Sequence, residues 1–179
     1  MGISVGVLAF FTLTHHGALW LALKTDDVLE ERARRVANLA WYGVMGMTLI
    51  VTGATLRIQP QVSANLTAHP WGFVFPALAL AGLAGALAFR PRDARKAFLA
   101  SGAYIVGMLT SAAFGLFPYV LPSSTDQALG LTIYNTAAAP YGLAIGLAWW
   151  IPGMLLVLAY TVFSYRHFGG KVAHEAGAY

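Results

Sequence analysis

The sequence has no cysteine and little charge: of its 179 residues, only 10% are Asp, Glu, Lys or Arg. Without cysteine there can be no disulfides, no thiolate metal ligands and no covalent haem attachment through C-x-x-C-H. The shortage of charge excludes an ordinary soluble domain, whose surface needs about 25% charged residues. No G-x-x-x-x-G-K-[ST] phosphate loop, H-E-x-x-H zinc motif or G-x-S-x-G nucleophile elbow is present. Acids are the scarcest charges, and Asp26, Asp27, Glu30, Glu31, Asp93, Asp126 and Glu175 all fall between or beyond the apolar runs. A transporter driven by protons or sodium usually places acids or broken helices near the membrane midplane, and the acids are missing here.

What is abundant is apolar: 58% of residues are hydrophobic, and mean hydropathy is +0.65. Five runs, roughly 1–23, 37–56, 71–89, 97–117 and 142–165, are each long enough for a hydrocarbon core of about 30 Å, which takes about 20 helical residues. A span must satisfy its own backbone polar groups where there is no water, so helix is the expected form. The alternating segments of a membrane barrel are absent. The expectation is an all-α, polytopic transmembrane helix bundle, with five transmembrane helices and residues 1–179 forming a single membrane domain.

The basic residues orient it. Lys24, Arg32, Arg34 and Arg35 follow the first run, Arg90, Arg92, Arg95 and Lys96 the third, and Arg166 and Lys171 the fifth, leaving only Arg57 on the other side. By the positive-inside rule the N-terminus lies outside and the C-terminus is cytoplasmic. The net charge of +4 and pI near 9.6 are thus explained by topology, and no nucleic acid partner is expected.

Local patterns add detail. In KTDDVLEERARR, residues 24–35, Asp26 and Asp27 are placed to cap a helix that emerges from the membrane. Glu30 with Arg34, and Glu31 with Arg35, are four-residue pairs of the stabilising order. Gly2 with Gly6, and Gly142 with Gly146, form G-x-x-x-G patterns that permit close helix approach. Pro152 should kink the fifth span. Trp41, Tyr42, Trp71 and Tyr165 lie near span ends, as an aromatic belt requires. The connection FPYVLPSSTDQALGLTIYNTAAAPYG, residues 117–142, holds three prolines and the turn-forming Ser123, Ser124, Thr125 and Asp126. It reads as an ordered outer loop lying over the bundle. The first span begins at Met1 with neither a basic flank nor a signal-peptide cleavage site, and reads like the interior of a longer membrane protein.

Buried polar groups are few. THHGALW, residues 14–20, places His15 and His16 about nine residues above Lys24, roughly 13 Å deep. Neighbours on a helix point about 100° apart, so at most one could be an axial haem ligand. The favoured roles are a neutral His16 bonded to a neighbouring helix, with Gly17 allowing close approach, and His15 facing a polar crevice or another span. Thr12, Thr14, Thr48, Thr52, Thr110 and Ser111 should bond back to their own helices or to neighbours. Asn135 is placed to order its loop. His69, His167 and His174 are single and solvated, and Asn65-Leu66-Thr67 is taken as a chance sequon.

Four stretches then resemble a known family. HGALWLALKT (16–25), LFPYVLPSS (116–124), LTIYNTAAAPYGL (131–143) and YRHFGGKV (165–172) look like the carboxyl-terminal half of subunit II of cytochrome bd-type quinol oxidases, including the cyanide-insensitive branch. The F-P-x-x-L-P-S-S block followed by L-T-I-x-N is the most specific part. The resemblance implies a haem-free structural and assembly subunit, or a fragment of one, in a bacterial inner-membrane terminal oxidase. Such an oxidase takes electrons from membrane quinol and reduces dioxygen to water. On this reading the chain is not itself catalytic and binds no metal or cofactor. Haems belong to the partner, subunit I. A quinone or bilayer lipid between helices is the apolar ligand the resemblance leaves open. The amino-terminal motifs of the family, G-F-D and W-D-G-N-Q-V-W, are not found, so the missing half of subunit II becomes a further partner if the gene is split. The alternative is an independent small membrane carrier or a haem-binding anchor, for which His15 and His16 are the cofactor-binding candidates.

Overall fold

The computed structural model describes residues 2–123, 127–167 and 170. Ser124, Thr125 and Asp126 of the outer connection, and Lys171, His174 and Glu175 of the tail, lie outside the described residues. The chain divides into two compact units, one made of described residues 2–117 and one of Pro118–Gly170.

The first unit contains α1 (Gly2–Lys24), α2 (Asp27–Ile58), α3 (Pro60–Ala68), a 3-10 turn (Pro70–Phe73), α4 (Val74–Phe89) and α5 (Ala94–Leu116). Four of its segments, together with α6 (Pro140–His167) of the second unit, are the five long apolar helices found among the described residues. This bears out the expected all-α, five-span class. At 1.5 Å per residue, the 32 residues of α2 run about 48 Å, well beyond the hydrocarbon core. The excess is its polar first turns, where Arg34 meets Glu30 at 2.8 Å and Arg35 meets Glu31 at 3.1 Å, the pairing the spacing predicts. The predicted capping differs: Asp26 occupies the N-cap of α2 without a side-chain cap bond, and Asp27 takes a left-handed φ of 55°.

Contacts in the first unit run in reversed order along each helix pair. Gly43 meets Phe11, Gly82 meets Tyr104, and Gly107 meets Ala79, so α1 with α2 and α4 with α5 form antiparallel hairpins. His16 with Ser101 ties α1 to α5, and Trp41 with Leu83 ties α2 to α4. The four helices surround a core of Leu8, Trp41, Val44, Leu83 and Tyr104. Each contributes one stripe at three- and four-residue spacing, as in Ala37, Ala40, Trp41, Val44, Thr48 and Val51 of α2.

Backbone approach is closest between α4 and α5. A Cβ added at Gly82 would fall inside 3.0 Å of the main-chain N of Tyr104, and one at Gly107 inside 3.0 Å of the main-chain N of Ala79. Small residues at such a crossing let dispersion contacts form along the whole seam. The glycines singled out by G-x-x-x-G do something else: a Cβ at Gly2, Gly6, Gly142 or Gly146 meets no heavy atom within 4 Å, and neither does one at Gly17. Close packing therefore sits on Gly82 and Gly107.

Asp93 starts α5. Its carboxylate accepts from the main-chain N–H groups of Arg95 and Lys96, each at 3.0 Å. The bond from Lys96 N–H is the largest cause holding this carboxyl below its ordinary pKa, with the Lys96 ammonium and Arg95 N–H acting the same way. A depressed carboxyl stabilises the folded state above its unfolded pKa, about 3.9, and the contribution is lost as pH falls through the folded value. Asp93→Ala is therefore expected to lower Tm at neutral pH, and the gap from the parent protein should narrow below about pH 4. Thermal melts at stepped pH check this; a gap that does not change with pH would refute it.

The second unit opens with a short antiparallel pair, β1 (Tyr119–Leu121) and β2 (Leu131–Thr132), in which Tyr119 faces Thr132 and Leu121 faces Leu131. Asn135 orders this loop: its Oδ1 accepts from Thr132 N at 2.7 Å, and its Nδ2 donates to Gly130 O at 3.1 Å. α6 then runs unbroken past Pro152.

Candidate functional site

Several polar side chains of the first unit bond from one helix to another. His15 lies on the buried stripe of α1 with Leu8, Ala18, Leu19 and Ala22. Its Nδ1 is 2.9 Å from Ala37 O on α2. A carbonyl only accepts, so Nδ1 carries the proton and Nε2 is left with the lone pair. That Nε2 is buried and has no hydrogen-bond partner among the described residues. His16 Nδ1 lies 2.7 Å from Ser101 Oγ on α5, while Ser101 Oγ donates to Phe98 O at 2.7 Å. With its one hydrogen so used, the serine accepts, and His16 is also the Nδ1–H tautomer. The His16 ring stacks on Phe98 at 4.4 Å between centroids.

The same logic directs the next layer. Thr48 Oγ1 donates to Val44 O at 2.7 Å, the back-bond expected of a membrane threonine. It therefore accepts from the Tyr104 hydroxyl at 2.6 Å, and Thr12 bonds to the same phenol. Thr110 bonds back to Val106 O at 2.7 Å. At the charged end, Trp41 Nε1 donates to Leu83 O at 3.0 Å, and Arg90 lies 5.6 Å over the Trp41 ring and donates to Asn38 Oδ1 at 2.6 Å. Arg34 Nη1 donates to Arg90 O at 3.0 Å, which ties α2 to the turn after α4.

One chemical device recurs. Helix carbonyls already accept one bond from their own helix but keep a second lone pair, the only abundant acceptor inside an apolar bundle. His15 and Trp41 each spend an N–H on such a carbonyl of another helix, while Arg34 and Asn65 donate to end carbonyls that lack an intrahelical donor, Arg90 O after α4 and Gly115 O in the last turn of α5. Asn65, on α3, donates to Gly115 O at 3.0 Å and also reaches Phe117 O, which caps the end of α5. Neither Trp41 nor Asn65 was expected here. Trp41 is buried, with 6% of its surface exposed, whereas Tyr42, Trp71 and Tyr165 are exposed as a belt would have them. Asn65 lies in PQVSANLTAHP, residues 60–70, and nothing in that stretch sets it apart from the neighbouring amide Gln61.

Predicted site residues are thus brought together in part: His16 reaches α5 as expected, His15 reaches α2, and Gly17 supports no close approach. Among the described residues no group of three or more His, Cys, Asp or Glu is placed to hold a metal ion. Open surface grooves line α6 near Val162 and His167, and α2 near Gly53 and Arg57; neither includes the histidine pair.

The family model for cytochrome bd terminal oxidase subunit II matches residues 1–168. The chain belongs to the cytochrome bd terminal oxidase subunit II family. It is 28% identical over 193 residues to the probable cytochrome oxidase subunit 2 of Haemophilus influenzae, covering 93% of this chain and 51% of that protein. It is 25% identical over 203 residues to the cytochrome bd-I ubiquinol oxidase subunit 2 of Escherichia coli, covering 97% and 53%. It is 24% identical over 178 residues to the cytochrome bd ubiquinol oxidase subunit 2 of Bacillus subtilis, covering 97% and 50%. The chain spans about half the length of these curated relatives. Its relatives are subunits of an oxidoreductase complex, and the five apolar helices agree with a multi-pass membrane subunit of such a complex. Within the matched residues, Tyr119–Leu121 pairs with Leu131–Thr132.

Proposed function

We propose that this chain is a haem-free structural and assembly segment of a bd-type terminal oxidase, set in a bacterial inner membrane with its basic turns toward the cytoplasm. The complex would oxidise membrane quinol and reduce dioxygen to water, with the haems in subunit I and this chain as part of the helical partner. The amino-terminal half that its relatives possess would complete subunit II. The observation that supports the reading best is how the interior nitrogen donors are used: His15 Nδ1 and Trp41 Nε1 bond helix carbonyls, and His16 Nδ1 bonds Ser101. These groups hold helices to one another, and no acid lies among them.

The haem-anchor alternative would use an Nε2 lone pair of His15 or His16 as an axial ligand. His15 is 3% exposed between packed helices, which favours the haem-free reading. For a test, His15→Leu and His16→Leu are made singly in the intact complex. The reduced-minus-oxidised haem spectrum per assembled complex is expected to keep its bands. Loss of a haem band from a complex that still assembles would overturn the haem-free reading.

A further inference from the structure

The two turns on the basic side of the bundle hold four cations each but are neutralised differently. Lys24, Arg32, Arg34 and Arg35 are matched by Asp26, Asp27, Glu30 and Glu31, two of which form the ion pairs of α2. Arg90, Arg92, Arg95 and Lys96 have only Asp93. That carboxylate is already engaged by the N–H groups that open α5, and meets Lys96 Nζ at 3.6 Å. Arg90 is committed to Asn38 and Trp41. The exposed side chains of Arg92 and Arg95 make no ion pair or hydrogen bond among the described residues.

The surroundings of this uncompensated charge are those of a bilayer edge. Lys96 Nζ lies 5.9 Å over Phe89, and Lys24 Nζ lies 5.2 Å over Trp20. Trp20 in turn packs against Phe98 at 5.2 Å, which places the ends of α1 and α5 side by side. Fixed cations at the mouth of an apolar helix surface match a ligand that has an anionic head and hydrocarbon tails.

We propose that the turn between α4 and α5 is a binding site for an anionic phospholipid headgroup, held by Arg92, Arg95 and Lys96, with the acyl chains lying along the adjoining apolar surface near Phe89. The α1–α2 turn, self-neutralised, is the internal control. The inference is independent of the oxidase reading, since it depends only on this end of the bundle lying at a membrane surface.

The experiment uses the full chain in nanodiscs of phosphatidylcholine containing spin-labelled phosphatidylglycerol or spin-labelled phosphatidylcholine. Electron paramagnetic resonance gives the relative association constants. Phosphatidylglycerol is expected to be preferred, and the preference to fall about 5-fold per arginine removed, on the order of 25-fold for Arg92→Gln with Arg95→Gln. Arg32→Gln with Arg35→Gln should leave the preference nearly intact, and circular dichroism should show equal helicity for both double variants. No preference in the parent chain, or equal losses from both pairs, would overturn the site in favour of diffuse charge attraction. Full displacement of the labelled lipid by inorganic phosphate would overturn it in favour of a soluble anion.

Discussion

Gly107→Leu is expected to be the most damaging single change in the first unit. A Cβ there already collides with the main chain of Ala79, so the leucine cannot be accommodated by turning a side chain. α4 and α5 must separate, and the seam loses contact along its length, including the reciprocal crossing of Gly82 against Tyr104. Overpacking costs typically ~1–3 kcal/mol, and a backbone collision belongs at or above the top of that range. The variant should unfold at a much lower denaturant concentration in mixed micelles and accumulate poorly in the membrane. Gly6→Ala, where a Cβ meets open space, should be neutral or slightly stabilising through helix propensity. Equal stability of Gly107→Leu and the parent chain would show that the two helices do not meet as described.

Trp41→Ala ranks second. The indole fills the core between α2 and α4, bonds Leu83 O and supports Arg90. Deleting a buried Trp costs about 3–5 kcal/mol. Trp41→Phe keeps most of the volume but removes the N–H, and should cost about 1 kcal/mol, the usual scale for a helix–helix hydrogen bond in a membrane. The ratio of the two losses separates packing from bonding. If phenylalanine proved as damaging as alanine, the hydrogen bond to Leu83 would be the dominant contribution, contrary to this account.

These two predictions rest on residues that the linear sequence ranked poorly, and the reason is physical. Five spans are legible because length and apolarity are properties of a segment by itself, and the Glu30–Arg34 and Glu31–Arg35 pairs because four-residue spacing is local. A belt tryptophan and a buried tryptophan near a span end have the same sequence signature; what decides is whether a neighbouring helix offers a carbonyl, as Leu83 does for Trp41. G-x-x-x-G marked Gly2, Gly6, Gly142 and Gly146, yet the seam between α4 and α5 pairs glycine with alanine across the two helices: Gly85 with Ala100, and Gly107 with Ala79. A search for small residues in general, restricted to the stripe opposite the bulky ones, would have marked it. α3 escaped because its nine residues between prolines are too short for an apolar period. A bond from His16 to a neighbouring helix is legible in the sequence, but nothing in the chain names Ser101 as the acceptor.

Such use of interior polar groups fits a chain whose task is to hold helices in place. His15, Trp41 and the Tyr104 hydroxyl each find a carbonyl or hydroxyl on another helix, and these pairings fix the rotation of one helix against another, while Ser111 Oγ is buried without a partner among the described residues.

In the proposed function the chain serves a haem-bearing oxidase without holding haem itself. The most direct measurement is purification of the native assembly through this chain in mild detergent, with a redox difference spectrum and mass spectrometry of the copurifying proteins, followed by the same spectrum on the chain alone. A haem-rich partner of the subunit I type is expected in the assembly, and no haem band from the isolated chain. Haem that stays with the isolated chain, or an assembly without such a partner, would contradict it.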